Sequence, residues 1–144
     1  MGGENYKYRA DGFAISAPSM PILARPSPEE PDSRSYSIDY GHRTMVVFGA
    51  GKLGMWENLS DKERLRRMKD VAVQGTVSKL VSEREISLDG NPGIEFEMEG
   101  SADHSRSRWY IVNGKFLALQ SYAPAGAPFA VGTDRIFDSL RLLR

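Results

Sequence analysis

The stretch from Lys79 to Ser121 most constrains what this chain can become. It reads as a run of strands joined by hairpins: KLVSEREISL, a DGNPG turn, IEFEMEG, a short polar turn, SRSRWYIV, an Asn-Gly turn and KFLALQS. Asn113-Gly114 between two alternating runs is a strong short hairpin signal, because a type I′ turn needs positive φ at both central residues. That turn sets Val112 opposite Lys115, and on one face Ile111 opposite Phe116 and Trp109 opposite Ala118. Tyr110 then faces Leu117, and Arg108 faces Leu119, on the other. The preceding turn is centred on Ala102 to His104. A pairing of Glu99 with Arg106 there puts Glu97 opposite Arg108 and Phe96 opposite Trp109. One face of this meander, Ile94, Phe96, Trp109, Ile111, Phe116 and Ala118, is a core face. The other carries charge on its early strands and Tyr110, Leu117 and Leu119 on its late ones, so both faces need cover, and helices are the expected cover.

With 144 residues the chain is long enough for one domain with a real core. The expectation is a single globular unit over 1–144, with a Pro-rich internal loop at 19–33. Nineteen basic and nineteen acidic residues cancel, so no long-range field favours nucleic acid or an anionic membrane. No cysteine is present, which excludes disulfides, thiolate catalysis and Cys-based zinc sites. No apolar run approaches membrane-spanning length. Met1-Gly2-Gly3, followed at once by polar residues, does not read as a signal peptide; it fits either a native start or the trimmed end of an exported chain.

Ahead of the meander, Asn5 to Arg9 and FAISAP at Phe13 to Pro18 read as strands, with Asp11-Gly12 as the turn between them. Ser35 to Tyr40 alternates as a third strand, and Arg43 to Phe48 is a more buried fourth, ended by Gly49, Gly51 and Gly54. Ser60 with Glu63 forms a capping box. It opens a surface helix whose apolar positions are Leu65, Met68, Ala72 and Val73 and which ends near Gly75. After AGAP at Ala125 to Pro128, a second helix is expected, with Phe129, Ile136, Phe137 and Leu140 as its buried stripe and Gly132 weakening its first half.

Three local patterns, DGFAISAPSMP, ISLDGNPGIEFEME and the closing RIFDSLRLL, together with the order of elements, resemble the PsbP/Mog1-like fold. The resemblance covers most of the chain. It implies an α+β architecture, an antiparallel sheet of about six to eight strands flanked by helices in an α/β/α sandwich. Bacterial chains of this type include small exported or lipoprotein-type domains, so the resemblance also implies a non-catalytic accessory or protein-interaction role outside the cytoplasm. Its motifs are structural, and no functional residue of a relative maps onto this chain.

Four groups of residues invite a functional reading. VVFGAGKLG at 46–54 matches G-x-G-x-x-G, yet the good helix cap, Ser60, lies six residues past Gly54, and antiparallel hairpins dominate elsewhere. The glycines are therefore read as a strand exit and loop, with no nucleotide cofactor. Glu95, Glu97 and Glu99 share one side of their strand, Glu83 and Glu85 are placed on the same face, and Arg106 and Arg108 lie across from them. That surface is either a cation-binding or partner-docking face, or a solvated face of cross-strand ion pairs. Trp56, in a glycine-flanked loop, either lines a ligand pocket or plugs the sheet end. His42 and His104 are two turn histidines without a third ligand, so no metal site is expected, and no serine sits in a nucleophile elbow. The expected partner is another protein. The alternatives are a small-ligand or cation site at Trp56 or the acidic face, and an enzyme of unrecognised type.

Overall fold

A computed structural model of the protein describes residues 4–8, 12–23, 34–52 and 56–143. In chain order the elements are β1 (Glu4–Tyr8), β2 (Phe13–Ala17), β3 (Ile22–Leu23), β4 (Arg34–Asp39), β5 (Met45–Lys52), α1 (Asp61–Gly75), β6 (Lys79–Leu88), β7 (Asn91–Glu99), β8 (Asp103–Val112), β9 (Lys115–Pro124), α2 (Thr133–Asp138) and β10 (Arg141–Leu142). The larger sheet has seven strands in the order β3-β4-β5-β9-β8-β7-β6, and β1-β2-β10 form a separate three-stranded sheet. Every pairing is antiparallel.

The meander forms as its turn chemistry dictates. Asn113 (φ 51°) and Gly114 (φ 77°) take the left-handed conformation of a type I′ turn, and β8 pairs with β9 in the expected register. Two other registers differ from expectation. At the β7–β8 turn Glu99 faces His104, so Glu97 faces Arg106, Glu95 faces Arg108 and Ile94 faces Trp109. A slip of two residues leaves every side chain on its expected face, because the strand period is two. The β6–β7 turn is more consequential. The turn proper is only Asp89-Gly90 (φ 51° and 83°), while Asn91, Pro92 and Gly93 already belong to β7. The shorter loop changes the parity of the pairing: Glu83 faces Phe96 and Glu85 faces Ile94. Glu83 and Glu85 therefore lie on the opposite face from Glu95, Glu97 and Glu99, not on the same one.

Each face of the large sheet has its own cover. On one, α1 lays Leu65 (1% exposed), Met68, Ala72 and Val73 over Ile94, Phe96, Met98, Trp109 and Ile111. Phe96 meets Trp109 edge-on at 4.7 Å between ring centres, a favoured geometry for aromatic pairs. Ser60 Oγ accepts from the Glu63 amide, as the capping pattern requires. The second face is covered differently from expectation. There the small sheet, through Phe13, Ile15 and Ala17 of β2, and α2, through Ile136 and Phe137, pack on Ile38, Val46, Phe48, Tyr110, Leu117 and Leu119. The second outer layer is thus a sheet plus one short helix, and the ten strands form two sheets, not one of six to eight.

The closing helix has six residues, ending at Asp138, and Arg141–Leu142 return as a strand on β2. Gly132, in a left-handed conformation (φ 86°), marks its start and keeps Phe129 outside it. Part of the Pro-rich stretch, Ile22–Leu23, pairs with β4; residues 24–33 of that stretch, and Asp11, lie outside the described residues.

Candidate functional site

Glu95 is the hub of the charged face. It lies on β7, with Arg84 of β6 directly opposite on one side and Arg108 of β8 directly opposite on the other. Arg84 Nε donates to Glu95 Oε1 at 2.7 Å, while Arg108 Nε at 2.5 Å and Arg106 Nη2 at 3.2 Å donate to Oε2. The carboxylate is only 13% exposed. Burial alone pushes its pKa up, but the hydrogen bonds from Arg108, Arg84 and Arg106 outweigh that and hold it at about 2. One carboxylate thus serves three guanidiniums, and it stays ionised throughout the range in which general acid–base catalysis operates.

The other hands of those arginines reach α2. Arg106 Nη1 bonds Asp134, and Arg108 Nη1 bonds Asp138 at 2.8 Å. Asp134, Phe137 and Asp138 lie at i, i+3 and i+4, on one side of the short helix. Phe137, 2% exposed, sits with its ring centre 5.3 Å from the Arg106 guanidinium carbon and 5.5 Å from that of Arg108, within cation–π range. Arg106 and Arg108 are desolvated, which lowers their pKa, yet Asp134, Glu95 and Asp138 more than compensate, so both are raised. Hydrogen bonding from Arg106 lowers Asp134. Sequence reasoning reached Glu95, Arg106 and Arg108 but missed Arg84, Asp134, Phe137 and Asp138. The legible signal was the D-x-x-F-D spacing, which puts two acids beside a buried aromatic and so calls for cations underneath.

The remaining candidates make no bond to Glu95. Glu97 is half-buried and Glu99 exposed, further along β7. Glu83 and Glu85 serve the opposite face: Glu83 meets the buried Lys69 of α1 at 2.9 Å, and Glu85 meets Arg66 at 2.9 Å. Desolvation pulls Lys69 down, but bonds to Asp70 and Glu83 overcome it and hold the ammonium above its ordinary pKa. Trp56 is half-buried, adopts a left-handed backbone (φ 53°) and accepts the Leu59 amide at its carbonyl. Gly49 and Gly51 do not end their strand; both are inside β5. A Cβ on Gly49 would lie 2.2 Å from the Arg34 carbonyl oxygen, so that glycine permits close strand approach. Gly54 lies outside the described residues, and α1 starts only at Asp61.

His104 Nε2 donates to the Ala127 carbonyl at 2.6 Å, and its ring lies 4.3 Å from Phe129. It thereby pins the Ala125–Pro128 loop beside an open cleft of about 560 Å³, rimmed by Glu99, Asp103 and Pro128. Among the described residues, no three His, Asp or Glu side chains are grouped to hold a metal ion.

The fold matches the solution structure of cyanobacterial PsbP (CyanoP) from Synechocystis sp. PCC 6803, with a TM-score of 0.66 over 98% of this chain and 92% of that one, at 10% sequence identity. A crystal structure from Bacteroides thetaiotaomicron VPI-5482 matches all of this chain but only half of its own, with a TM-score of 0.53 and 12% identity. The chain therefore has a PsbP-like fold, and at these identities the likeness is one of fold. No protein-family model matches the sequence, and neither does any curated protein.

Proposed function

We propose that the protein is a non-catalytic accessory domain that works by binding another protein, outside the cytoplasm. The observation that carries this reading is the state of the charged face. Its most buried carboxylate, Glu95, is bonded by three arginines and held at about 2, far from the pH at which an acid or base would be poised. Two of those arginines also hold α2 in place. The residues with the strongest chemistry are committed to architecture, so surface recognition is left as the means of action. The PsbP-like fold supports the same reading, and the resemblance to small exported domains supports the compartment. Among the described residues, no helix is long and apolar enough to cross a membrane. Of the sequence candidates, Glu97, Glu99 and Trp56 make no bond to Glu95, and Glu99 is exposed.

The test is quantitative affinity capture with the whole chain as bait, from periplasmic and cytoplasmic extracts in parallel. A single partner enriched in stoichiometric amount from the extracytoplasmic fraction is the expected result. Enrichment of nothing above a bait-free control in both extracts overturns the proposal.

A further inference from the structure

We propose that the outer edge of β6 is a strand-addition site, taking an extended segment of a partner protein whose residues alternate basic, acidic, basic. The inference deepens the protein-binding reading by naming the surface and the kind of partner, and it rests on that reading.

β6 ends the seven-stranded sheet, and among the described residues no strand pairs with its outer side. It is ten residues long, and seven of them are exposed. Which backbone groups point outward follows from the Asp89-Gly90 turn. In a type I′ hairpin with a two-residue loop, the flanking residues, here Leu88 and Asn91, exchange both backbone hydrogen bonds, and the pattern then repeats at every second residue. Ile86 and Arg84 therefore turn their amides and carbonyls toward β7, whereas Ser87, Glu85 and Glu83 turn theirs away. That row is the template on which an added strand pairs.

The side chains on the same stretch decide what can pair there. A second copy adding edge to edge keeps each face on its own side, so symmetric registers are centred on a residue. Of those overlapping most of β6, the registers centred on Glu83, Arg84 or Glu85 each set a charge directly against its own copy, and the one centred on Ser82 meets the bulge at Val81. Like charges directly opposite are destabilising. Self-pairing is thus selected against, and the Glu83-Arg84-Glu85 triplet favours its complement, Lys or Arg, then Asp or Glu, then Lys or Arg. The triplet is palindromic, so the pattern holds for either strand direction. Arg84 and Glu85 are 62% and 59% exposed although each has an internal partner, while Glu83, bonded to Lys69, is 31% exposed.

The probes are two capped heptapeptides, Thr-Val-Lys-Glu-Lys-Val-Thr and its charge-swapped form Thr-Val-Glu-Lys-Glu-Val-Thr, titrated into the whole chain and followed by amide NMR and hydrogen exchange. The first is expected to bind about tenfold more tightly than the second at low salt. It should bring new exchange protection to the amides of Glu83, Glu85 and Ser87. Glu85→Pro, which removes an outward amide, should abolish binding. Because that variant could lose fold, the same test is made with a peptide N-methylated at alternate positions against the unaltered protein, which should bind no better than buffer. Equal affinity for the two charge patterns, undiminished binding of the methylated peptide, protection elsewhere, or no binding at millimolar peptide overturns the edge site. Capture of a stoichiometric partner that the first peptide does not displace overturns the edge site alone and leaves the protein-binding reading standing.

Discussion

Individual residues show where the chain carries strain and where it stores charge. Val77 is 89% exposed and left-handed (φ 51°), a conformation costly for a branched side chain. It closes α1, where the Ser78 amide reaches back to the Val73 carbonyl at 3.0 Å. Val77→Gly is expected to raise stability by about 1 kcal/mol, measured by urea unfolding, since glycine takes this cap position without strain. Glu95 gives a pH-dependent prediction. Its carboxyl titrates near 2 in the fold against an ordinary 4.5, so its contribution is whole above about 4.5 and drains as pH falls toward 2. Glu95→Gln should cost roughly 2–3 kcal/mol at pH 7 by removing the one charge that three guanidiniums share. The gap between native and variant stability should close as pH is lowered through that window; a constant gap would show that the charge is not what matters. Both arginines and the carboxylate were legible as a cross-strand group, because alternation puts them on one face. The hub was not, because it depends on which arginine stands opposite Glu95, and that is settled by turn length.

Among the elements, α2 is the one that cannot stand alone. Six residues are too few to hold a helix in water, so its existence depends on what it rests upon. Two contributions are separable. Phe137 is fully buried, and Phe137→Ala should cost about 3–4 kcal/mol. Asp134 and Asp138 are 76% and 66% exposed, and solvent screens their pairs with Arg106 and Arg108. The double variant Asp134→Ala/Asp138→Ala should therefore cost no more than about 1 kcal/mol. Its mark should instead be faster hydrogen exchange confined to 133–142. Comparable losses from the two variants would mean that charge, not burial, docks the helix. The extent of α2 was overread in the sequence because Phe129, Ile136, Phe137 and Leu140 suit one helical stripe. Gly132 and the pairing of Arg141–Leu142 with β2 cut that stripe at both ends, and the second is a contact across most of the chain.

The molecule as a whole is two apolar cores on either side of one sheet. Because β6, β8 and β9 contribute side chains to both, neither core should melt without the other. Leu65→Ala beneath α1 and Phe13→Ala beneath the small sheet should each cost about 3–4 kcal/mol. Each should shift a single transition, with far-UV and near-UV signals coincident. Two separated transitions in either variant would show that the layers fold as independent units. The sequence alone determined the meander, the β8–β9 register, the α1 cap and stripe, the core face beneath α1 and the PsbP-like architecture, because alternation, helical spacing and turn residues act over a few positions. The tertiary structure alone decided which face Glu83 and Glu85 take, that a second sheet with α2 covers the far side, and that Gly49 serves strand approach. Those outcomes turn on the length of one turn and on pairings between segments apart in the chain, neither of which a local pattern records, and a change of parity in a loop reverses a face.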